Sequence, residues 1–232
     1  MQQQNPAEGI IKFSCDWIEA ELVPDGLADR LIAIRDELWR RGLVGADAQG
    51  IGFGNVSAAL GTEELRAMVL SSAVKTISPM RAVPRCFLIT GSQTGRMAHL
   101  SLSDLALVFG WDLDANSLRC IGKIKASSES LTHAALYEAD SRIEAVIHVH
   151  APWHWARWPD TEPRTADDVP YGTPAMAREI QKLWRSSGSS CQGTACMGGH
   201  RDGLLSWGTS LEQALEILLN MLEKIERSAP RQ

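Results

Sequence analysis

His148-Val149-His150 closes an apolar run that begins at Ile143. Side chains alternate along a strand, so both imidazoles face one way, about 7 Å apart along the backbone. Two neutral imidazoles so placed can share a divalent cation. The plainer account is a pair of half-exposed histidines at a strand end. His200 lies in the glycine-rich run Gly198-Gly199-His200-Arg201-Asp202-Gly203. It is either a third nitrogen donor or a turn residue. His154, among Trp153, Trp155 and Trp158, reads as packing.

A second group is Ala126-Ser127-Ser128-Glu129-Ser130, which leads to His133. Ser127 and Ser128 are natural caps for a following helix, and a helix start suits an anion such as phosphate or carboxylate. Glu129 and His133 are four apart and share a helical face. An ordinary capped helix with an exposed pair would look the same. Gly54-Asn55-Val56-Ser57 and Thr90-Gly91-Ser92-Gln93-Thr94-Gly95 offer backbone N–H groups and short polar side chains able to grip an anion. Each alone is a turn. Other His-x-His arrangements fit poorly: Pro152 stands where a metallo-β-lactamase needs Asp, and no Glu follows His150 as in a cupin.

These residues need elements to hold them. Leu27, Leu31, Ile34 and Leu38 predict a helix over 24–42 opened by Pro24 or Asp25. Residues 51–60 read as a strand entering a turn, 61–84 as an irregular insertion, and Cys86–Thr90 as a buried strand. A short helix is expected at 101–106, strands near 107–111 and 118–122, a helix at 129–140 and a strand from Ile143 to His150. Thr173-Pro174 opens a helix over 174–187. Strands at 193–197 and 203–207 precede a last helix at 210–227. Interspersed strands and helices predict one sheet covered by helices, and short links predict a partly or mostly antiparallel one.

The chain has 232 residues, a formal charge of −5, 44% hydrophobic and 22% charged residues, an ordinary globular composition. One domain is expected, with residues 1–22 as an N-terminal extension. No apolar run approaches the roughly 18 residues of a membrane span, and the mild acidity without a basic cluster argues against nucleic acid. The first residues lack the basic and apolar regions of a signal peptide. The five cysteines, Cys15, Cys86, Cys120, Cys191 and Cys196, form no C-x-x-C pair, so free buried thiols and a cytoplasmic setting are expected.

Taken in order, the clusters resemble the class II aldolase/adducin family, whose members include sugar-phosphate aldolases, an epimerase and a dehydratase. The resemblance runs from about residue 30 to residue 220. It implies an α/β fold, a three-layer α/β/α architecture with a central, largely antiparallel sheet. It also implies a homotetramer with sites at subunit boundaries and a divalent metal, most often Zn2+, with Mn2+, Co2+, Ni2+ or Fe2+ as alternatives. By position, His148, His150 and His200 match the family's metal histidines. Glu129 matches the acidic residue that acts as general base and can also ligate the metal. Asn55, Thr94, Gly95, Ser127 and Ser128 match the phosphate-binding positions. The expected activity is a metal-dependent lyase, aldolase-like or dehydratase-like, on a small hydroxy-ketone or sugar-derived molecule carrying a phosphate or carboxylate. A sugar-phosphate epimerase and a non-catalytic adducin-like scaffold are the alternatives. Glu rather than Asp at 129 leans away from the epimerase. The chain departs from the family pattern at 61–84, at the tryptophan-rich stretch after His150, and near its end, where no counterpart of the aldolases' tyrosine acid is found. Tyr171 is a candidate donor by chemistry, with packing as its plainer role.

Overall fold

A computed structural model describes residues 10–61 and 85–229; the insertion expected at 61–84 lies almost wholly outside them. Among the described residues the chain runs β1 (Ser14–Glu19), α1 (Gly26–Arg40), β2 (Gly45–Ala46), β3 (Gly52–Phe53), β4 (Asn55–Leu60), β5 (Cys86–Thr90), β6 (Leu105–Asp112) and β7 (Ser117–Gly122). Then follow α2 (Ser130–Ala139), β8 (Ala145–His150), α3 (Pro152–Trp155), α4 (Pro174–Ser186), β9 (Gly193–Cys196), β10 (Gly203–Gly208) and α5 (Leu211–Ser228). Eight strands form one sheet in the order β1-β7-β6-β5-β4-β8-β10-β9. Every pairing in it is antiparallel except β1 with β7.

All six residues of β4 and all six of β8 are buried, because helices cover both faces of the sheet there. Ala28, Leu31 and Leu38 of α1 and Leu211, Ala214, Leu218 and Leu222 of α5 pack with Val56, Ala58, Ile147 and Val149. On the other face Leu131, Ala134 and Ala135 of α2 and Met176, Ala177 and Ile180 of α4 pack with Val146 and Leu205. The starts of α1, α4 and α5 follow from their sequences. Asp25 Oδ1 accepts from the Ala28 N–H at 2.8 Å, Thr173 Oγ1 from Met176 at 3.3 Å, and Ser210 Oγ from Gln213 at 3.1 Å, the side-chain caps these residue types favour.

Several expectations are corrected. The helix at 101–106 is a single 3-10 turn, Leu102–Asp104, and β6 begins at once at Leu105. Ser127 and Ser128 do not cap α2: the cap position is Glu129, whose side chain makes no capping bond. Within the expected N-terminal extension, β1 joins the sheet edge beside β7. Its alternating exposure and mixed polarity are those of an edge strand.

Candidate metal centre and anion pocket

Antiparallel pairing gathers the site at one end of the sheet. Asn55, first in β4, lies opposite His148. Gly203, first in β10, lies opposite His150. The Gly198–Gly203 turn between β9 and β10 carries His200 and closes through the Gly203 N–H to the His200 carbonyl at 2.9 Å. The turn is threaded tightly. A Cβ at Gly199 would stand 1.7 Å from the Val169 carbonyl oxygen, so this position accepts only glycine.

The three imidazoles form a triangle. Ring centroids are 5.1 Å apart for His148 and His150, 4.8 Å for His148 and His200, and 4.9 Å for His150 and His200. One nitrogen from each lies within 4.8 Å of the others. The rings are held from outside. Phe53 stacks on His150 at 4.8 Å with planes 16° apart, and Tyr171 stacks on His200 at 4.3 Å and 22°.

The chemistry of the donor set fits a cation. His148 Nδ1 is 3.1 Å from the Leu204 carbonyl, so Nδ1 donates and Nε2 keeps its lone pair. That Nε2 is buried and, among the described residues, has no hydrogen-bond partner. Burial, then His200 and His150 alongside, hold the His148 imidazole well below its ordinary 6.5, so it is neutral at pH 7. A neutral, buried lone pair facing two further imidazoles is the arrangement a borderline divalent ion such as Zn2+ takes.

Glu129 stands outside this close set of nitrogens. It is buried at the start of α2, and its Oε2 accepts from Thr132 Oγ1 at 2.7 Å. His133 is not the exposed partner expected for it. It is wholly buried, its Nδ1 is 2.7 Å from Ser57 Oγ, and Ser57 Oγ is 2.7 Å from Tyr137 Oη. Burial lowers the His133 imidazole to about 3 and raises the Tyr137 phenol. Tyr137, Ser57 and a neutral His133 therefore form one buried hydrogen-bonded chain.

The expected anion-binding residues are neighbours. β4 and β5 are antiparallel with Ser57 opposite Ile89, so Asn55 starts where β5 ends. Gly91 bridges to Ala126, and the Ser92 N–H donates to the Lys125 carbonyl at 2.9 Å, which brings the turn after β5 against Ser127 and Ser128. Asn55, Thr94, Ser127 and Ser128 are all buried. Thr94 Oγ1 is committed to the Gly91 carbonyl at 2.8 Å. A Cβ at Gly95 would stand 2.4 Å from the Phe53 oxygen. From behind, wholly buried Arg35 donates through Nη2 to the carbonyls of Thr94 at 2.6 Å and Gly95 at 3.0 Å.

The sequence reading missed Arg35, Phe53 and Lys12, took Ser57 only as part of the Gly54–Ser57 turn, and kept Tyr171 as a candidate donor with packing as its plainer role. For Ser57 a signal existed: two residues after Asn55, it shares that residue's strand face. His154, in α3, has its Nε2 2.9 Å from Glu226 Oε1 and is outside the histidine triangle.

The family model for the Class II Aldolase and Adducin N-terminal domain matches residues 29–229. A search of curated proteins finds no match. Among solved structures, YgbL of Escherichia coli, a putative aldolase/epimerase/decarboxylase, superposes with a TM-score of 0.59 at 19% identity, covering 89% of this chain and 92% of its own. An L-fuculose 1-phosphate aldolase gives 0.58 at 18% identity, with 89% and 85% covered. A sugar-phosphate aldolase from Thermotoga maritima gives 0.56 at 15%, with 87% and 94% covered. At these identities the likeness speaks for the α/β fold.

Proposed function

The chain belongs to the class II aldolase and adducin N-terminal domain family, and from that premise we propose a divalent-metal-dependent lyase acting on a small hydroxy-ketone that carries a phosphate or carboxylate. The observation that carries the reading is His148 Nε2, buried and without a hydrogen-bond partner among the described residues, facing His150 and His200. A buried polar atom left so costs about 1–3 kcal/mol. A scaffold has no use for that cost, whereas a bound cation removes it.

His148, His150 and His200 would hold the ion, with Zn2+ the first choice for three imidazoles. When bound, the ion supplies polarisation of a carbonyl or enediolate oxygen. The chain's own residues do the rest. Glu129 moves the proton: Thr132 orients the carboxylate through Oε2, and we assign the transferred proton to Oε1. Asn55 and the turns bearing Thr94, Gly95, Ser127 and Ser128 hold the anionic end of the substrate. Ser57, His133 and Tyr137 brace α2 against β4, which keeps Glu129 in register with Asn55.

The test pairs metal analysis with an assay. Protein purified without added metal is measured by elemental mass spectrometry, then assayed for carbonyl product from L-fuculose 1-phosphate and a panel of phosphorylated and carboxylated ketoses. The proposal expects about one equivalent of transition metal. It also expects a turnover that Glu129→Gln lowers by roughly 10²-fold or more with metal content unchanged. Metal-free protein that binds no zinc on titration would overturn it.

A further inference from the structure

Strands β1 and β7 meet with Cys15 opposite Leu118 and Trp17 opposite Cys120. Cys15 and Cys120 are thus diagonal neighbours on one face of the sheet edge. Their sulfurs are 3.6 Å apart, in hydrogen-bond contact, and both are free thiols. A covalent S–S bond is shorter by about 1.5 Å, and diagonal neighbours on paired strands have Cα atoms about 7–8 Å apart, so closing the bond draws edge strand β1 toward β7.

The two thiols are unequal in a useful way. Cys15 is half-buried and Cys120 fully buried. The hydrogen-bond contact with Cys120 holds the Cys15 thiol below its ordinary range against the opposing effect of burial, with the Lys125 ammonium helping. The same bond, with burial, pushes Cys120 up. Cys15, the more accessible sulfur, meets an oxidant first, with the buried Cys120 sulfur in contact behind it. Cys86 and Cys196 are buried and pushed up to about 12 by that burial, which leaves them inert by comparison.

We propose that Cys15 and Cys120 form an oxidation site, where a hydroperoxide converts the facing thiols into a disulfide that fastens edge strand β1 to β7. Cys15 sulfur attacks one peroxide oxygen. The S–O bond forms as the O–O bond breaks, and the departing oxygen leaves as water with the Cys15 proton. Cys120 sulfur then attacks Cys15 sulfur. The S–S bond forms, the S–O bond breaks, and the leaving hydroxide takes the Cys120 proton as a second water. Two thiols lose two electrons and two protons, and one hydrogen peroxide becomes two waters.

The segment just before the fastened strand reaches a ring that packs on the candidate metal centre. Lys12, three residues before Cys15, donates to the Tyr171 carbonyl at 2.8 Å and lies 3.2 Å over the Tyr171 ring, the ring stacked on His200.

The experiment treats the purified full chain with graded hydrogen peroxide. Remaining thiols are alkylated under denaturing conditions and peptides mapped without reduction. The expected result is loss of two of the five thiols, one Cys15–Cys120 cross-linked peptide, reversal by dithiothreitol, and slower hydrogen exchange across Ser14–Glu19. In Cys15→Ser the cross-link is absent and Cys120 is fully alkylated. The proposal is overturned if Cys15 stops at a sulfenic or sulfinic acid with Cys120 still alkylatable. It is equally overturned if the first disulfide joins other cysteines or two chains.

Discussion

Tyr171 lies on His200 ring to ring, with centroids 4.3 Å apart and planes 22° apart, while the Lys12 ammonium stands 3.2 Å from the centre of the same tyrosine ring. One ring face cannot hold both, so Tyr171 is sandwiched between Lys12, just before β1, and the third histidine. The stack fixes the plane of His200, and with it the direction of its lone pair. Tyr171→Phe keeps the stack and should leave zinc affinity within a few-fold. Tyr171→Ala frees the ring and should weaken zinc by about 10–100-fold, the range for losing a group that orients a ligand. Competition with a chromogenic chelator measures both; equal affinities for the two variants would remove Tyr171 from this role.

Metal should also register in stability. An ion bound only by the folded chain at a hundred times its dissociation constant adds about 2.7 kcal/mol, which for a chain of this size raises Tm by roughly 5–10 °C. Zinc added to chelator-treated protein should give that shift. His148→Ala and His200→Ala should abolish it while far-UV circular dichroism stays native, since the sheet core does not depend on the ion. A His200→Ala protein that keeps the full shift would exclude His200 as a ligand.

Arg35 makes a separate prediction. Its guanidinium, fully buried, donates to the carbonyls of Thr94, Gly95 and, at 3.3 Å, Ala98. A trans peptide points its N–H opposite to its carbonyl, so the N–H groups of Gly95 and Arg96 are aimed away from α1. Arg35→Met would leave those carbonyls buried without a donor, a loss of about 2–5 kcal/mol by urea unfolding. The turn should also lose its affinity for inorganic phosphate. Arg35→Lys, with one ammonium in place of a fork, should fall between. Phosphate titration by calorimetry reads the second effect apart from the first.

The fold was legible where the pattern was strong. The apolar run into His148-Val149-His150, the Thr173-Pro174 cap and the leucine stripe of α5 each carry a periodic or capping signal that tertiary contacts do not override. His148 and His150 could be nominated from strand alternation and His200 from the family resemblance, but only the turn geometry around Gly199 shows that His200 reaches them. What the sequence concealed is burial of polar groups. His133 reads as an exposed partner of Glu129, because nothing local reveals that Ser57, in a strand distant along the chain, supplies its hydrogen bond. Arg35 sits among apolar residues of α1 and looks like a surface cation until the turn at 94–98 folds over it. β1 was overlooked since an edge strand with alternating polar residues carries little hydrophobic signal.

His133 also makes stability depend on pH with a definite sign. Its ring is neutral in the folded protein because burial lowers it from 6.5 to about 3, in a wholly buried setting shared with Ser57 and Tyr137. The unfolded chain takes up a proton below pH 6.5 and the folded chain does not. The unfolded state therefore binds more protons between about pH 6.5 and 3, so stability is complete above that window and declines as pH falls through it. One such histidine contributes about 1.4 kcal/mol per pH unit, or about 2 kcal/mol lost by pH 5. His148 adds a decline of the same sign, so the effect of His133 is isolated by difference. Wild type and His133→Asn are unfolded by urea, in chelator, at pH 7.5 and pH 5. At pH 7.5 the variant should be weaker for lack of the Ser57 bond, and at pH 5 the gap should narrow by about 2 kcal/mol. A gap that stays constant would mean that His133 takes up its proton in the folded state as readily as in the unfolded chain, and its burial would not oppose the charge.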